Sequence, residues 1–65
     1  MVLKVIEIMA NSKNSWEDAA QVAVSEASRS VREIKSVYMN EMSAVVHDGK
    51  IVEYRVNCKI SFAVE

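Results

Sequence analysis

Residues 47–64 read HDGKIVEYRVNCKISFAV and carry the strongest structural signal in the chain. The pair Asp48-Gly49 is a favoured two-residue hairpin turn, because both positions accept positive φ. From Ile51 to Val64 the residues alternate with the period of a β-strand. One series is apolar: Val52, Tyr54, Val56, Cys58, Ile60, Phe62 and Val64. Together with an extended stretch before the turn, Ser36–Val46, this pattern predicts a long antiparallel hairpin.

The turn also predicts which residues share a face of the hairpin. An unbroken register from Asp48-Gly49 places Ser36 opposite Ser61 and Met42 opposite Arg55. One face then combines residues of both strands and is unusually polar: Ser36, Tyr38, Asn40, Met42, Ala44, Val46, Glu53, Arg55, Asn57 and Ser61. This face is expected to point away from the helix that precedes the hairpin.

A strand and a helix precede the hairpin. Val2–Met9 is rich in β-branched and aliphatic residues and predicts a strand, which the polar stretch Asn11–Ser15 ends. Ser15 is predicted to cap a helix that runs from Trp16 to Arg32. Its apolar residues recur at spacings of three and four: Trp16, Ala20, Ala23, Val24, Ala27, Val31 and Ile34. Because this face is largely alanine, the helix backbone is expected to lie close against a sheet.

The predicted fold class is therefore α+β with the order β-α-β-β, in one domain over residues 1–65. Arg32 and Lys35 are expected in the last helical turn, where the helix dipole favours cations. A helix of this length spans ~25 Å, whereas the hairpin strands would reach roughly 36 to 47 Å. One helix cannot cover the whole hairpin, so the uncovered apolar surface predicts a homo-oligomer.

Composition excludes several classes of protein. A chain of 65 residues has a marginal core, and the single Cys58 and single His47 provide neither an internal disulfide nor a zinc cluster. The net charge of −1 disfavours nucleic-acid binding. Short apolar runs and the absence of a signal-peptide pattern predict no membrane contact, and the free thiol favours the cytoplasm. No catalytic triad, acid pair or glycine-rich phosphate loop is present, so the chain is not expected to be an enzyme.

Several stretches of the sequence resemble one known family, the dodecins. They are Val5-Ile6-Glu7, Ser15-Trp16-Glu17-Asp18-Ala19, Asp48-Gly49-Lys50-Ile51, Tyr54-Arg55-Val56 and Lys59-Ile60-Ser61-Phe62, in order along the whole chain. The resemblance implies a three-stranded antiparallel sheet that partly wraps one helix, and a hollow homododecamer. It also implies a binding protein that stores or sequesters flavins such as FMN, riboflavin or FAD. The polar hairpin face would then line the interior and the pockets between subunits.

The flavin site that the resemblance implies is altered in this chain. Family members that bind flavin carry a stacking tryptophan in the first hairpin strand and a ring-contacting glutamine in the last strand. The matching positions hold Ser36 and Arg55. Trp16 matches the tryptophan at the start of the family's helix and is expected to face the core. Loss of a stacking partner removes about 1–3 kcal/mol by analogy with base stacking, so flavin binding is expected to be weak or absent.

Three alternatives remain open for the polar face. Arg55 could contact an anion or form an ion pair with Glu41 or Glu53 of a neighbouring copy. Tyr38 could stack on a ring or pack at an interface. A symmetric shell could instead hold calcium or another ion, with the six to eight oxygens that calcium requires supplied by several chains. The candidate oxygen ligands are Glu41, Asn57, Asn40 and Ser36. The alternative to a flavin-type storage protein is thus an ion-binding or purely structural dodecameric shell.

Overall fold

The computed structural model describes residues 1–64, which form three strands and one helix. Strand β1 spans Val2–Ser12, helix α1 spans Trp16–Ala27, strand β2 spans Ile34–His47 and strand β3 spans Lys50–Val64. The strands form one antiparallel sheet in the order β1-β3-β2. The predicted order β-α-β-β and the predicted α+β class are confirmed.

Strand β1 is longer than the sequence predicted. The strand was expected to end at Met9, but Ala10 and Ser12 still pair with β3. The Ser12 hydroxyl accepts a hydrogen bond from the Asn14 amide at 2.9 Å and donates one to Asp18 Oδ2 at 2.6 Å. Polar residues therefore extend the strand here, because the side chain of its last residue also holds the start of the helix.

The predicted N-cap of α1 is confirmed. Ser15 adopts an extended conformation, and its hydroxyl accepts a hydrogen bond from the Asp18 amide at 2.9 Å. Trp16 follows as the first helical residue. Its indole Nε1 donates to the Ser43 carbonyl of β2 at 2.8 Å, and its ring meets Tyr54 edge-on at a centroid distance of 4.8 Å. The N-terminal end of the helix is thus fastened to both hairpin strands.

The C-terminal end of α1 lies earlier than predicted, at Ala27 instead of Arg32. The Ser28 hydroxyl donates to the Val24 carbonyl at 2.8 Å, and the next amides bond to carbonyls three residues back. Serine competes for backbone hydrogen bonds in this way and disfavours continuation of a helix. Arg32 therefore lies in the connection to β2, and the prediction that Arg32 and Lys35 occupy the last helical turn is wrong.

The hairpin turn has the conformation that its sequence predicts. Asp48 has φ of 51° and Gly49 has φ of 73°, so both central residues are left-handed. His47 and Lys50 pair directly on either side of the turn. This geometry matches the right-handed twist of the strands.

The core lies between the helix and the central strand. Its helical side consists of alanines, and its sheet side consists of three residues of β3 with no exposed surface. The core residues are Ala19, Ala20, Ala23, Ala27, Val56, Cys58 and Ile60. The predicted close approach of an alanine face to the sheet is confirmed, and Trp16, Val24, Val31 and Ile34 pack partly buried around it.

The helix covers less of the sheet than predicted. Twelve residues give a helix of about 18 Å, whereas the molecule is 48 Å long. Large apolar side chains of all three strands remain exposed in the single chain, including Leu3, Val5, Val37, Met42, Val46, Ile51 and Val52. No helix within residues 1–64 has the length and apolar character needed to cross a membrane.

Burial of Cys58 predicts a loss of stability at alkaline pH. Burial raises the pKa of the Cys58 thiol, because the thiolate would lack solvation. The folded state then binds the proton more tightly than the unfolded state. Stability is fully present below the unfolded thiol pKa of about 8.5 and falls as pH rises through the folded pKa. We expect urea unfolding midpoints to decline over this range, with a smaller decline in Cys58→Ala, and equal declines would contradict this account.

Candidate functional site

The candidate site lies on the sheet face opposite to the helix, here called the far face. It comprises Ser36, Tyr38, Asn40, Glu41 and Ser43 of β2, Glu53, Arg55, Asn57, Lys59 and Ser61 of β3, and Glu7 and Asn11 of β1. Residues that pair directly across two strands share a face of the sheet. The register between β2 and β3 therefore decides which side chains lie beside one another.

The register is not the unbroken one that the sequence predicted. Ser36 pairs with Ser61 as expected, and so do the pairs next to the turn. Between them β3 gains one extra residue at Val52 and β2 gains one at Asn40, because the register shifts on passing each of these residues. Each extra residue is a β-bulge, which places two residues of one strand opposite one residue of the other.

The bulges change the composition of the far face. Met42 and Ala44 were predicted to lie there, but they pair with Val56 and Tyr54 on the helix side. The predicted position of Val46 on the far face is also wrong, because Val46 now continues the alternation from Ala44. Arg55 accordingly lies opposite Ser43, and the prediction that it faces Met42 is wrong.

Ser36 and Tyr38 lie together at one end of the far face. The Ser36 hydroxyl is 2.5 Å from the Ser61 hydroxyl, so the two form a hydrogen bond. Tyr38 pairs with Lys59, and 63% of its surface is exposed. An exposed aromatic ring therefore lies two residues from Ser36 on the same face.

Arg55 lies near the other end of the far face. Its Nε donates a hydrogen bond to Asn11 Oδ1 of β1 at 3.2 Å. Within residues 1–64, the ion pair that involves an arginine or a lysine joins Arg29 with Glu26. Ser61, the partner of Ser36, lies six positions after Arg55 on β3, so Ser36 and Arg55 lie roughly 20 Å apart. One chain alone cannot bring both side chains to one flavin ring.

Asn57 lies between these two ends, opposite the Asn40 bulge. Both Asn40 and Glu41 face it from β2, and Met9 pairs with it from β1. Within residues 1–64, Asn57 Oδ1 is the buried side-chain oxygen or nitrogen atom that lacks a hydrogen-bond partner. A buried polar atom without a partner costs about 1–3 kcal/mol. Native proteins rarely retain such an atom without a partner, and a bound ion, an ordered water or a group of a neighbouring copy can supply one.

The donor set around Asn57 suits a hard cation. Amide and carboxylate oxygens are the ligands that calcium prefers. Asn57, Asn40 and Glu41 of one chain supply at most about four such oxygens, fewer than the six to eight that calcium takes. No cluster of three or more His, Cys, Asp or Glu side chains suited to a metal occurs in the described part of the chain. A calcium site here therefore fits in chemistry but needs further ligands.

The face predicted from the sequence did not include Asn11 of β1 or Glu41 and Ser43 of β2. Asn11 was assigned to a loop because it opens a polar stretch, although it pairs with Arg55 in the sheet. Ser43 was not placed on the far face, and the Asn40 bulge moves it there. The polar character of Asn11 and Ser43 was the available signal, but only the register locates them.

Comparison with known proteins identifies the family. A family model described as Dodecin matches residues 2–65. The chain belongs to the dodecin family. A curated relative, Calcium dodecin from Mycobacterium tuberculosis, is 38% identical over 61 residues, which cover 94% of this chain and 86% of the relative. The resemblance noted in the sequence is confirmed.

Solved dodecin structures share the fold. The crystal structure of the Mycobacterium tuberculosis calcium dodecin, described as a calcium-chelating antigen with a novel calcium-binding site, matches with a TM-score of 0.84 and 39% identity and covers 100% of this chain and 93% of that chain. A Thermus thermophilus protein matches with a TM-score of 0.92 and 25% identity and covers 98% and 94%. Dodecin from Streptomyces coelicolor, at 23% identity, has a TM-score of 0.92 and covers 98% and 91%. The predicted dodecin fold is thus confirmed, while the site roles of Ser36, Tyr38, Arg55, Glu41 and Asn57 stay predictions.

Proposed function

We propose that this dodecin is a non-enzymatic protein that binds and buffers calcium within a homododecameric shell. The observation that carries the proposal is the buried, unpartnered Asn57 Oδ1, opposite Asn40 and Glu41. A relative that is 38% identical is named Calcium dodecin, which supports the same ion. The uncovered apolar surface of the sheet supports self-association. The free Cys58 thiol favours a cytoplasmic location.

Calcium is favoured over flavin by the arrangement of the far face. Glu41 and the bulged Asn40 lie opposite Asn57 in the strand register, whereas Ser36 and Arg55 of one chain are far apart. The position of the family's stacking tryptophan holds a serine whose hydroxyl is already bonded to Ser61. A flavin would therefore lack its main aromatic contact at this position.

A flavin-type ligand is the second candidate function. The exposed ring of Tyr38, on the same face as Ser36, is the observation that favours it. FMN, riboflavin or FAD would then bind weakly between copies, with Arg55 of another copy near the ligand. Replacement Ser36→Trp is expected to increase flavin affinity if the pocket shape survives, because stacking contributes about 1–3 kcal/mol.

Calorimetric and fluorescence titrations of the purified assembly test the proposal. After dialysis against EGTA, calcium chloride is titrated by calorimetry, and FMN is titrated separately by the quenching of its fluorescence. We expect saturable calcium binding, with little quenching of FMN by the wild type and clear quenching by Ser36→Trp. Strong FMN quenching by the wild type without calcium binding would favour the flavin function instead.

Light scattering of the same sample tests the assembly. The expected mass is that of twelve chains, because the family resemblance implies a dodecamer. A monomer or a dimer at micromolar concentration would contradict the proposed shell.

A further inference from the structure

The oxygen ligands at Asn57 lie at the open edge of the sheet. Strand β2, which carries Asn40 and Glu41, is an edge strand in the order β1-β3-β2. Asn40 and Glu41 are exposed, whereas the neighbouring Asn57 Oδ1 on the central strand is buried. The donor set is therefore closed on the β3 side and open on the β2 side, where additional ligands can approach.

We infer that a second copy of the chain packs against the exposed edge of β2. The outer edge of β2 exposes unpaired backbone groups along 14 residues, and long exposed edges are normally covered or paired. Exposed apolar side chains lie along the same strand, at Val37, Tyr38, Met42 and Val46. A second copy would cover these apolar groups and could bring its own oxygen atoms to the ion.

We propose that each calcium ion is shared by two copies of the chain, which meet at the β2 edge, so that calcium binding stabilises the assembly. This inference rests on the proposed calcium function. Asn57 Oδ1, Asn40 and Glu41 of one copy supply part of the coordination, and the oxygen groups of the second copy supply the remainder. Since the complete site exists only in the assembled protein, calcium binds the assembled form more tightly than the separated chains.

Charge repulsion between copies also predicts that calcium strengthens their contact. The far face carries the carboxylates of Glu7, Glu41 and Glu53 against the cations of Arg55 and Lys59, and each chain has a net charge of −1. Copies that approach with Glu41 at the contact repel one another unless a cation lies between them. Removal of calcium is therefore expected to weaken this contact.

Dissociation of the assembly measured with and without calcium tests the inference. Dilution and urea series are followed by light scattering in EGTA or in excess calcium, and calorimetry gives the ratio of calcium ions to chains. We expect calcium to lower the dissociation concentration at least tenfold in the wild type. Glu41→Gln is expected to lose most of this shift, whereas Glu17→Gln, which removes an exposed carboxylate on the helix, away from the far face, retains it.

The outcomes separate this inference from the proposed function. Calcium binding by calorimetry without any shift in dissociation would overturn the shared site and leave calcium binding intact. Absence of calcium binding would overturn both. If Glu41→Gln does not assemble at all, Asn40→Ala serves as the second variant, and it is expected to reduce the calcium-induced shift. An undiminished shift in Asn40→Ala would count against the shared site.

Discussion

Replacement of Asn57 by valine is expected to stabilise the calcium-free protein and to lower its calcium affinity at least tenfold. The buried Oδ1 has no hydrogen-bond partner, so its removal relieves a penalty of about 1–3 kcal/mol. Valine also suits the middle of a strand. The same change deletes the oxygen around which we place the ion. Urea unfolding in EGTA and calcium calorimetry measure the two effects in one variant.

Ser61→Val provides the matched control for Asn57→Val. Ser61 lies on the same strand and the same face, but its hydroxyl is already bonded to Ser36. We expect no gain in stability from Ser61→Val and no change in calcium affinity. If Asn57 serves calcium binding at a cost in stability, Asn57→Val should raise the stability of the protein and lower its calcium affinity. Lower stability together with undiminished calcium affinity in Asn57→Val would contradict this role for Asn57.

Replacement of Ile60 by alanine is expected to cost about 2–5 kcal/mol. Ile60 has no exposed surface and belongs to the core between β3 and the helical alanines. The alanines have no flexible side chains that could fill the cavity. A chain of this size has a total stability of roughly 3–10 kcal/mol, so we expect a large fraction of the variant to be unfolded and unassembled.

Urea unfolding at one fixed protein concentration measures the Ile60→Ala effect, because assembly makes stability dependent on concentration. Val22→Ala is the control, since Val22 is 44% exposed on the helix and alanine favours helix formation. We expect Val22→Ala to change the unfolding midpoint little. Equal losses in both variants would show that burial against β3 does not determine stability.

Local chemistry made part of the fold predictable from the sequence. The Asp48-Gly49 turn and the Ser15 cap each depend on residues within a few positions of one another, and both are confirmed. The end of the helix was predicted wrongly, because apolar spacing continued through Val31 while the Ser28 hydroxyl bonded to the backbone. Periodicity records which residues are apolar but not where the backbone leaves the helix.

The candidate site was less predictable, because it depends on cross-strand register. The bulges at Asn40 and Val52 leave no clear mark in the alternation pattern. They nevertheless move Met42 to the helix side of the sheet and Ser43 to the far face. Asn57 and Glu41 were named from their oxygen chemistry, and the register places them opposite each other. The missing partner of Asn57 Oδ1 could not be anticipated, since it depends on every atom packed around that side chain.

A crystal structure of the protein grown with calcium is the most direct measurement of the central claim. We expect an ion about 2.3–2.6 Å from Asn57 Oδ1, the usual calcium–oxygen distance, with a Glu41 carboxylate and oxygen atoms of a second copy completing the coordination. Calcium bound elsewhere in the shell with Asn57 Oδ1 still unpartnered, or no ordered ion at saturating calcium, would contradict it.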